Sequence, residues 1–358
     1  MPGEREGLHS RCARVPTGGS LEQADGTAWM AFFSQCMLQI AIELAQHDEV
    51  YGDMALKFLE HFLRIGAAMN RPTADGQEMW DEEDGFYYDV LRLPDGSAQR
   101  LKVRSMVGLL PLCASTVVSA AAVQKLPRLL ERSRWFIARH RDLADRVAPL
   151  TPGANGRILF SLLDETKLRR VLARVLDESE FLSPAGIRSM SKAHLENPYI
   201  YRLGDAEYRV AYQPGESDTA MFGGNSNWRG PVWMPINLLL VRAIFNLYAY
   251  YGDEFKIECP TGSGNMMTLY EVGKDLARRM VSPFERNAQG QRPVFGNSDL
   301  LQQNPHWRDH LLFYEFFHGD TGAGLGASHQ TGWTGVVAKL VDVLETFTAK
   351  GILEGRVR

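Results

Sequence analysis

What most narrows the folds open to this chain is the return of apolar residues at three- and four-residue intervals. Residues 29–46 carry Trp29, Phe33, Met37, Ile40, Ala41 and Leu44 on one helical face, and residues 53–68 repeat the pattern with Met54, Phe58, Phe62 and Ile65. The link between them, Gln46-His47-Asp48-Glu49, is short and polar, as in an antiparallel helical hairpin. Comparable stretches at 105–115, 121–142, 163–177, 231–250, 264–282 and 333–349 bring the helices to about eight, several apolar along one stripe. Short β segments interrupt them. Residues 85–91 read as a strand entering the turn Leu93-Pro94-Asp95-Gly96-Ser97, and residues 199–205 with 208–212 read as a hairpin. The expected fold is therefore all-α: paired helices around a cavity, with β-hairpin insertions. There is no low-complexity linker and no repeat, so residues 18–358 read as one domain and residues 1–17 stand apart from it.

Several function classes drop out on composition. A net charge of -4 over 358 residues gives no electrostatic case for nucleic acid or an anionic membrane surface. Cys12, Cys36, Cys113 and Cys259 lie far apart with no CxxC spacing, which favours buried reduced thiols over a zinc site or disulfide framework. The start, Met1-Pro2-Gly3-Glu4-Arg5-Glu6, lacks the basic and apolar regions of a signal peptide, so a cytoplasmic location is expected. The uncharged run Ser105–Gln124 is broken by Pro111, Ser115, Thr116 and Ser119 and reads as a buried helix followed by a turn rather than a membrane span. No phosphate loop, dinucleotide fingerprint or metal-ligand cluster occurs, so neither a cofactor nor a metal is expected.

Four segments carry chemistry. In Leu21-Glu22-Gln23-Ala24-Asp25-Gly26-Thr27-Ala28-Trp29-Met30, Asp25 precedes an amphipathic helix. Its plain reading is an N-cap; its functional one is a proton donor, because Trp29, Phe32 and Phe33 supply the apolar surroundings that favour a protonated carboxyl. In Phe313-Tyr314-Glu315-Phe316-Phe317, Glu315 lies among four aromatic residues, ahead of a glycine-rich loop with His329, Gln330 and Trp333 beyond it. It is either a buried acid paired with a base such as Arg308, or the lining of a mobile-edged pocket with Tyr314. The stretch Asn227-Trp228-Arg229-Gly230-Pro231-Val232-Trp233 offers two indole platforms and two donors suited to a polyol, with Pro231 fitting the first turn of a helix. Alternatively it is a Trp-rich helix start packed into the core. Trp80-Asp81-Glu82-Glu83-Asp84-Gly85-Phe86-Tyr87-Tyr88-Asp89 sets four acids between rings. The spacing is not that of an EF-hand, so a solvated turn is the better reading than calcium, with Trp80 and Tyr88 lining a pocket.

Two carboxylates among aromatic rings point to a sugar, since ring faces stack on pyranoses and paired acids cleave glycosidic bonds. Taken in order, the four segments resemble glycoside hydrolase family 63, over about residues 20–345. The resemblance implies an (α/α)6 toroid lacking upstream helices, and an inverting attack on α-glucosides or α-mannosides. Asp25 is then the general acid and Glu315 the general base. Trp29, Trp80, Tyr88, Asn227, Trp228, Arg229, Trp233, Tyr314, His329, Gln330 and Trp333 would shape the sugar site. An inverting pair stands about 6.5–9.5 Å apart so that a water fits beneath the anomeric carbon. The implied partner is an oligosaccharide or small glycoside, and the apolar helix faces left by missing helices would favour self-association. Two rivals stay open: a carbohydrate-binding or inactive remnant of such an enzyme, and a sugar epimerase on the same toroid.

Overall fold

The structure is a computed structural model, and it describes residues 12–14, 18–73, 76–203, 205–218 and 228–356. Among these, eight helices run for eight residues or more: Ala24–Ala45, Tyr51–Met69, Met106–Cys113, Pro127–Arg139, Glu165–Val175, Met234–Tyr251, Leu269–Val281 and Val337–Thr346. The fold is mostly helical, with small antiparallel strand groups between the helices. The chain forms two compact units, one of residues up to Lys102 with Val107–Leu168, the other of Val103–Met106 with Arg169–Arg358.

In the first unit, the helices Ala24–Ala45 and Tyr51–Met69 pack along each other. The second buries most of the face its periodicity marks, with Phe58, Phe62 and Ile65 inside and Met54 exposed. The first does not. Its buried stripe is Ala24, Ala28, Ala31, Gln35, Leu38, Ile42 and Ala45, whereas Phe33, Ile40 and Leu44 are exposed. This helix is apolar almost all round, so side-chain size decides which face goes inward. Small residues let the neighbouring backbone approach, and Gln35 Nε2 donates to the Ala114 and Phe160 carbonyls at 3.0 and 2.9 Å. By length and composition the same helix could cross a membrane, a test that partly buried core helices also pass.

A four-stranded antiparallel sheet, in the order Cys12–Arg14, Ser20–Glu22, Asp89–Arg92, Ala98–Leu101, completes this unit. Cys12–Arg14 thus pairs into the unit although residues 1–17 read as standing apart; residues 1–11 and 15–17 lie outside the described residues. The uncharged run at 105–124 is a short helix followed by a strand, Ser115–Val118, paired with Ile158–Ser161. The helix expected over 121–142 breaks at Pro127, which opens a helix of its own because a proline nitrogen has no hydrogen to donate inward.

In the second unit, Leu269–Val281 packs between Met234–Tyr251 and Val337–Thr346. Gly273 makes the first contact possible, since a Cβ there would stand 2.8 Å from the Phe245 ring. The buried Lys274 ammonium donates to the Val343, Leu344 and Phe347 carbonyls. It thereby satisfies the acceptors a helix leaves open at its C-terminal end. Tyr199–Leu203 and Ala206–Val210 form the expected hairpin. The helix before Tyr251 starts at Met234, and Pro235 rather than Pro231 occupies its first turn.

Candidate active site

The two candidate carboxylates belong to different units, and each has a local setting of its own. Asp25 does not cap its helix. Gln23 holds the cap position and makes no side-chain capping bond, while Asp25 sits in the first turn, where the helix dipole favours an acid. Its Oδ1 accepts from the Gly26 N–H at 2.6 Å. The Ala24 N–H is instead served from outside the helix, by Asp89 Oδ1 at 2.7 Å. The sheet dictates this contact: Glu22 pairs with Val90, so the preceding Asp89 falls beside the residues that open the helix. Burial pushes the Asp89 carboxyl up to about 7; the Ala24 N–H opposes the shift and the Asp25 charge adds to it. Trp29, half-buried, meets Phe32 edge-on at 6.1 Å.

Trp80 and Tyr88, expected to face a sugar, are core side chains at 5% and 1% exposure. Their polar atoms are spent internally. Trp80 Nε1 donates to Glu82 at 2.6 Å, and the Tyr88 hydroxyl donates to Asp84 at 3.0 Å. The acidic run is a solvated turn at Glu82 and Glu83, which are exposed, but not at its first acid. Asp81 is buried between Arg100 at 2.6 Å and Lys102 at 2.9 Å, and Lys102 also reaches Asp84 at 3.1 Å. These cations do the work a calcium ion would do, and among the described residues no cluster of His, Cys, Asp or Glu is placed to hold a metal.

Glu315 sits at the mouth of a two-stranded hairpin, Phe316–Phe317 with Gly324–Leu325. The glycine-rich stretch is not a loose edge; it folds back on Glu315. The Glu315 and Ala327 backbones bond at 2.9 Å, and the Ala327 N–H donates to Glu315 Oε2 at 3.1 Å. Gly326 has φ +70°, and a Cβ there would lie 2.8 Å from Glu315 Oε2 and 2.7 Å from the Phe316 ring. Gly324 is just as constrained, because a Cβ would come within 2.2 Å of the half-buried Tyr314 ring. Only glycine lets this strand lie so close. Arg308 engages Asp309 instead of Glu315, which makes no ion pair among the described residues.

Beside Glu315 stands an aromatic cage. Val232 bridges Phe317 on one side and Arg188 on the other, which delivers Trp233 to Phe316 at a ring distance of 4.8 Å. Trp228 and Trp333 each meet Trp233 edge-on at 6.4 Å. Trp333 Nε1 donates to the Glu315 carbonyl at 3.0 Å, so this indole positions the acid's backbone. Trp233 Nε1 is buried and has no hydrogen-bond partner among the described residues. Arg229, expected to be an open donor, is 5% exposed, and burial lowers its pKa against the opposing charge of Asp218. His329 is exposed, stacked on Phe313, with Nδ1 accepting from the Phe313 N–H at 3.4 Å. Gln330 is exposed and caps the short helix Thr331–Thr334 without a side-chain bond. Asn227 lies outside the described residues.

One network here has no counterpart among the sequence-based candidates. Asp320 accepts from Arg188 at 3.0 Å and from the Tyr212 hydroxyl at 3.1 Å, with Lys192 at 3.4 Å. Burial alone would raise the Asp320 pKa, but these cations and the hydroxyl bring it below the ordinary value. The neighbouring His318 has its pKa lowered by burial, and its Nδ1 accepts from the Asp320 and Thr321 N–H groups. The network anchors the turn that joins the two strands of the Glu315 hairpin. Its signal in sequence is faint, a His-Gly-Asp trio whose partners lie over a hundred positions away.

No protein-family model matches the chain. It is 45% identical over 350 residues to an uncharacterized protein of Saccharomyces cerevisiae, a match covering 94% of this chain and 32% of that protein. It is 22% identical over 321 residues to the mannosyl-oligosaccharide glucosidase of the same yeast, covering 88% of this chain and 26% of the enzyme. The chain thus spans between a quarter and a third of the length of these curated relatives. Among solved structures, the GH63 mannosylglycerate hydrolase from Thermus thermophilus, in complex with glucose, aligns at 14% identity and a TM-score of 0.39, over 90% of this chain and 48% of that one. The chain is glycoside-hydrolase-like, with weak sequence similarity to the glucosidases of family 63.

Proposed function

We propose that this chain is the part of an inverting glycoside hydrolase that carries its acid and base, acting on α-glucosides or α-mannosides, with Asp25 as general acid and Glu315 as general base. The observation that carries this reading is the setting of Glu315. It is a half-buried carboxylate outside any described ion pair, held by one backbone N–H beside a tryptophan cage. No described cation neutralises it, which leaves the carboxylate open to take a proton from water. In the proposed reaction, Glu315 takes a proton from a water whose oxygen attacks the anomeric carbon. The glycosidic C–O bond breaks as Asp25 gives its proton to the leaving oxygen. Trp228 and Trp333 would stack against the sugar ring, while Trp233, expected from the sequence to face the sugar, is 6% exposed and packs behind them as a core side chain. With the mechanism goes the (α/α)6 toroid that the family resemblance implies.

The epimerase alternative loses support at its histidines. Nδ1 of both His318 and His329 accepts from backbone N–H groups, so each neutral ring carries its proton on Nε2 and offers no free basic nitrogen. Carbohydrate binding without turnover is the remaining rival. Glu315→Gln should lower hydrolysis of the best substrate by about 10²–10⁴-fold, the usual weight of a general base, with unchanged circular dichroism. Normal turnover in that variant would remove Glu315 from the mechanism. Sugar-induced stabilisation of the wild type without any reducing-sugar release would favour the binding rival.

A further inference from the structure

The helix Pro127–Arg139, in the first unit, carries a surface that nothing in the proposed chemistry uses. Between Lys125 and Arg146 lie seven basic and three acidic side chains, in a chain whose net charge is -4. Leu129 and Phe136 turn inward, while Trp135 is 61% exposed, the highest value for a large aromatic side chain among the described residues. The Arg139 guanidinium, one turn on, lies over the Trp135 ring at 5.4 Å and restrains the indole. Arg134 adjoins Trp135 in sequence, and Arg141 opens the short helix Arg141–Ala144. All three arginines are exposed, and none makes an ion pair among the described residues. We infer that this surface docks an acidic helix of a partner protein, one whose carboxylates recur every four residues with an apolar side chain among them to cover Trp135.

The helix itself shows what its arginines accept. Arg128 and Arg132, four residues apart, are met by Glu49 and Asp53, also four apart, and the first of these pairs closes at 2.9 Å. Arg134, Arg139 and Arg141 present the same donor group without such a counterpart. A guanidinium suits a carboxylate in particular, because its planar fork offers parallel donors to the two oxygens. Tryptophan beside arginine is also the pairing that concentrates binding energy at protein interfaces. An indole already held by its neighbour loses little side-chain freedom on docking. Glu131, Asp142 and Asp145 are exposed within the same stretch. Their charges oppose the continuous phosphates of a nucleic acid or an anionic bilayer, whereas a short segment can set its acids between them.

The test titrates the chain with two synthetic helical peptides, alike except that one carries glutamates at four-residue spacing around a leucine and the other carries glutamines. Trp135 fluorescence, taken as the difference between wild type and Trp135→Phe, reports binding. The glutamate peptide should bind the wild type, more weakly as salt rises from about 50 to about 300 mM. The glutamine peptide should bind at least about tenfold more weakly. In the double variant Arg134→Glu/Arg139→Glu, the glutamate peptide should lose a similar factor and a lysine version of it should gain affinity. Equal affinity of the wild type for the glutamate and glutamine peptides would overturn the proposal, even where the double variant fails to fold. Undiminished binding of the glutamate peptide to a folded double variant would overturn it too. So would wild-type binding to phosphatidylserine vesicles or to a single-stranded oligonucleotide with none to the glutamate peptide, which would assign the arginines to a lipid or nucleic-acid surface. The readout needs no glycoside turnover, so its failure leaves the hydrolase reading untouched.

Discussion

At the scale of single residues, the chain distinguishes acids that hold the fold from acids left for chemistry. Asp81 is the clearest of the first kind. Burial would raise its pKa, but the Asp84 N–H, Lys102 and Arg100 together bring it below the ordinary 3.8. A depressed folded value means that Asp81 stabilises the fold above pH 3.8, and that this contribution is lost as pH falls through the folded value. Arg100→Met should cost about 3 kcal/mol at neutral pH, since it strands a buried carboxylate with one cation fewer. The gap between variant and wild type in urea unfolding should close well below pH 3.8; a gap of the same size at both pH values would contradict the assignment. Glu315 contrasts with Asp81 in every respect that sequence could not show. Both sit beside tryptophan or phenylalanine in the chain, yet one is met by two cations and the other by a single N–H. The partners of Asp81, Arg100 and Lys102, follow it closely in sequence, yet nothing in the local pattern marked them as its counterions. Asp89 was in plain view at the end of the same motif, but its bond to Ala24 depends on strand register, which no local pattern encodes.

At the scale of elements, the helices were legible because hydrophobic period survives any tertiary arrangement, and each of the eight long ones overlaps a stretch read from period. Their inward faces were less legible. On Ala24–Ala45 the bulky Phe33, Ile40 and Leu44 point away from the helix's buried side while several alanines, with Leu38 and Ile42, point in, because close backbone approach competes with side-chain area when both faces are apolar. The Glu315 hairpin shows the same limit for loops. A run of glycines reads as flexibility, whereas Gly324 and Gly326 each permit a contact. Gly326→Ala should cost about 1–3 kcal/mol for its left-handed backbone, and should lower kcat more than KM by displacing the Glu315 carboxylate. Gly332, with nothing within 4 Å of its notional Cβ, supplies the control, and Gly332→Ala should leave both stability and kcat unchanged within error. Equal losses in the two variants, measured by thermal melting and initial rates, would show that the hairpin does not place Glu315.

At the scale of the whole molecule, the sequence carries more than its periodicities. Its similarity to mannosyl-oligosaccharide glucosidase, at 22% identity, extends over 88% of the chain and so reaches into both units. In the proposed reading one unit carries the proton donor and the other carries the base with its tryptophans. The proposed division of labour therefore predicts something that no binding protein or epimerase yields, namely the configuration of the first product. Proton NMR taken within the first moments of α-glucoside or α-mannoside cleavage, before mutarotation, reads it directly. Initial appearance of the β-anomer is the predicted result, because water enters from the face opposite the departing group. Initial appearance of the α-anomer would contradict the account, since that outcome needs a covalent intermediate and a nucleophile in place of the base assigned to Glu315.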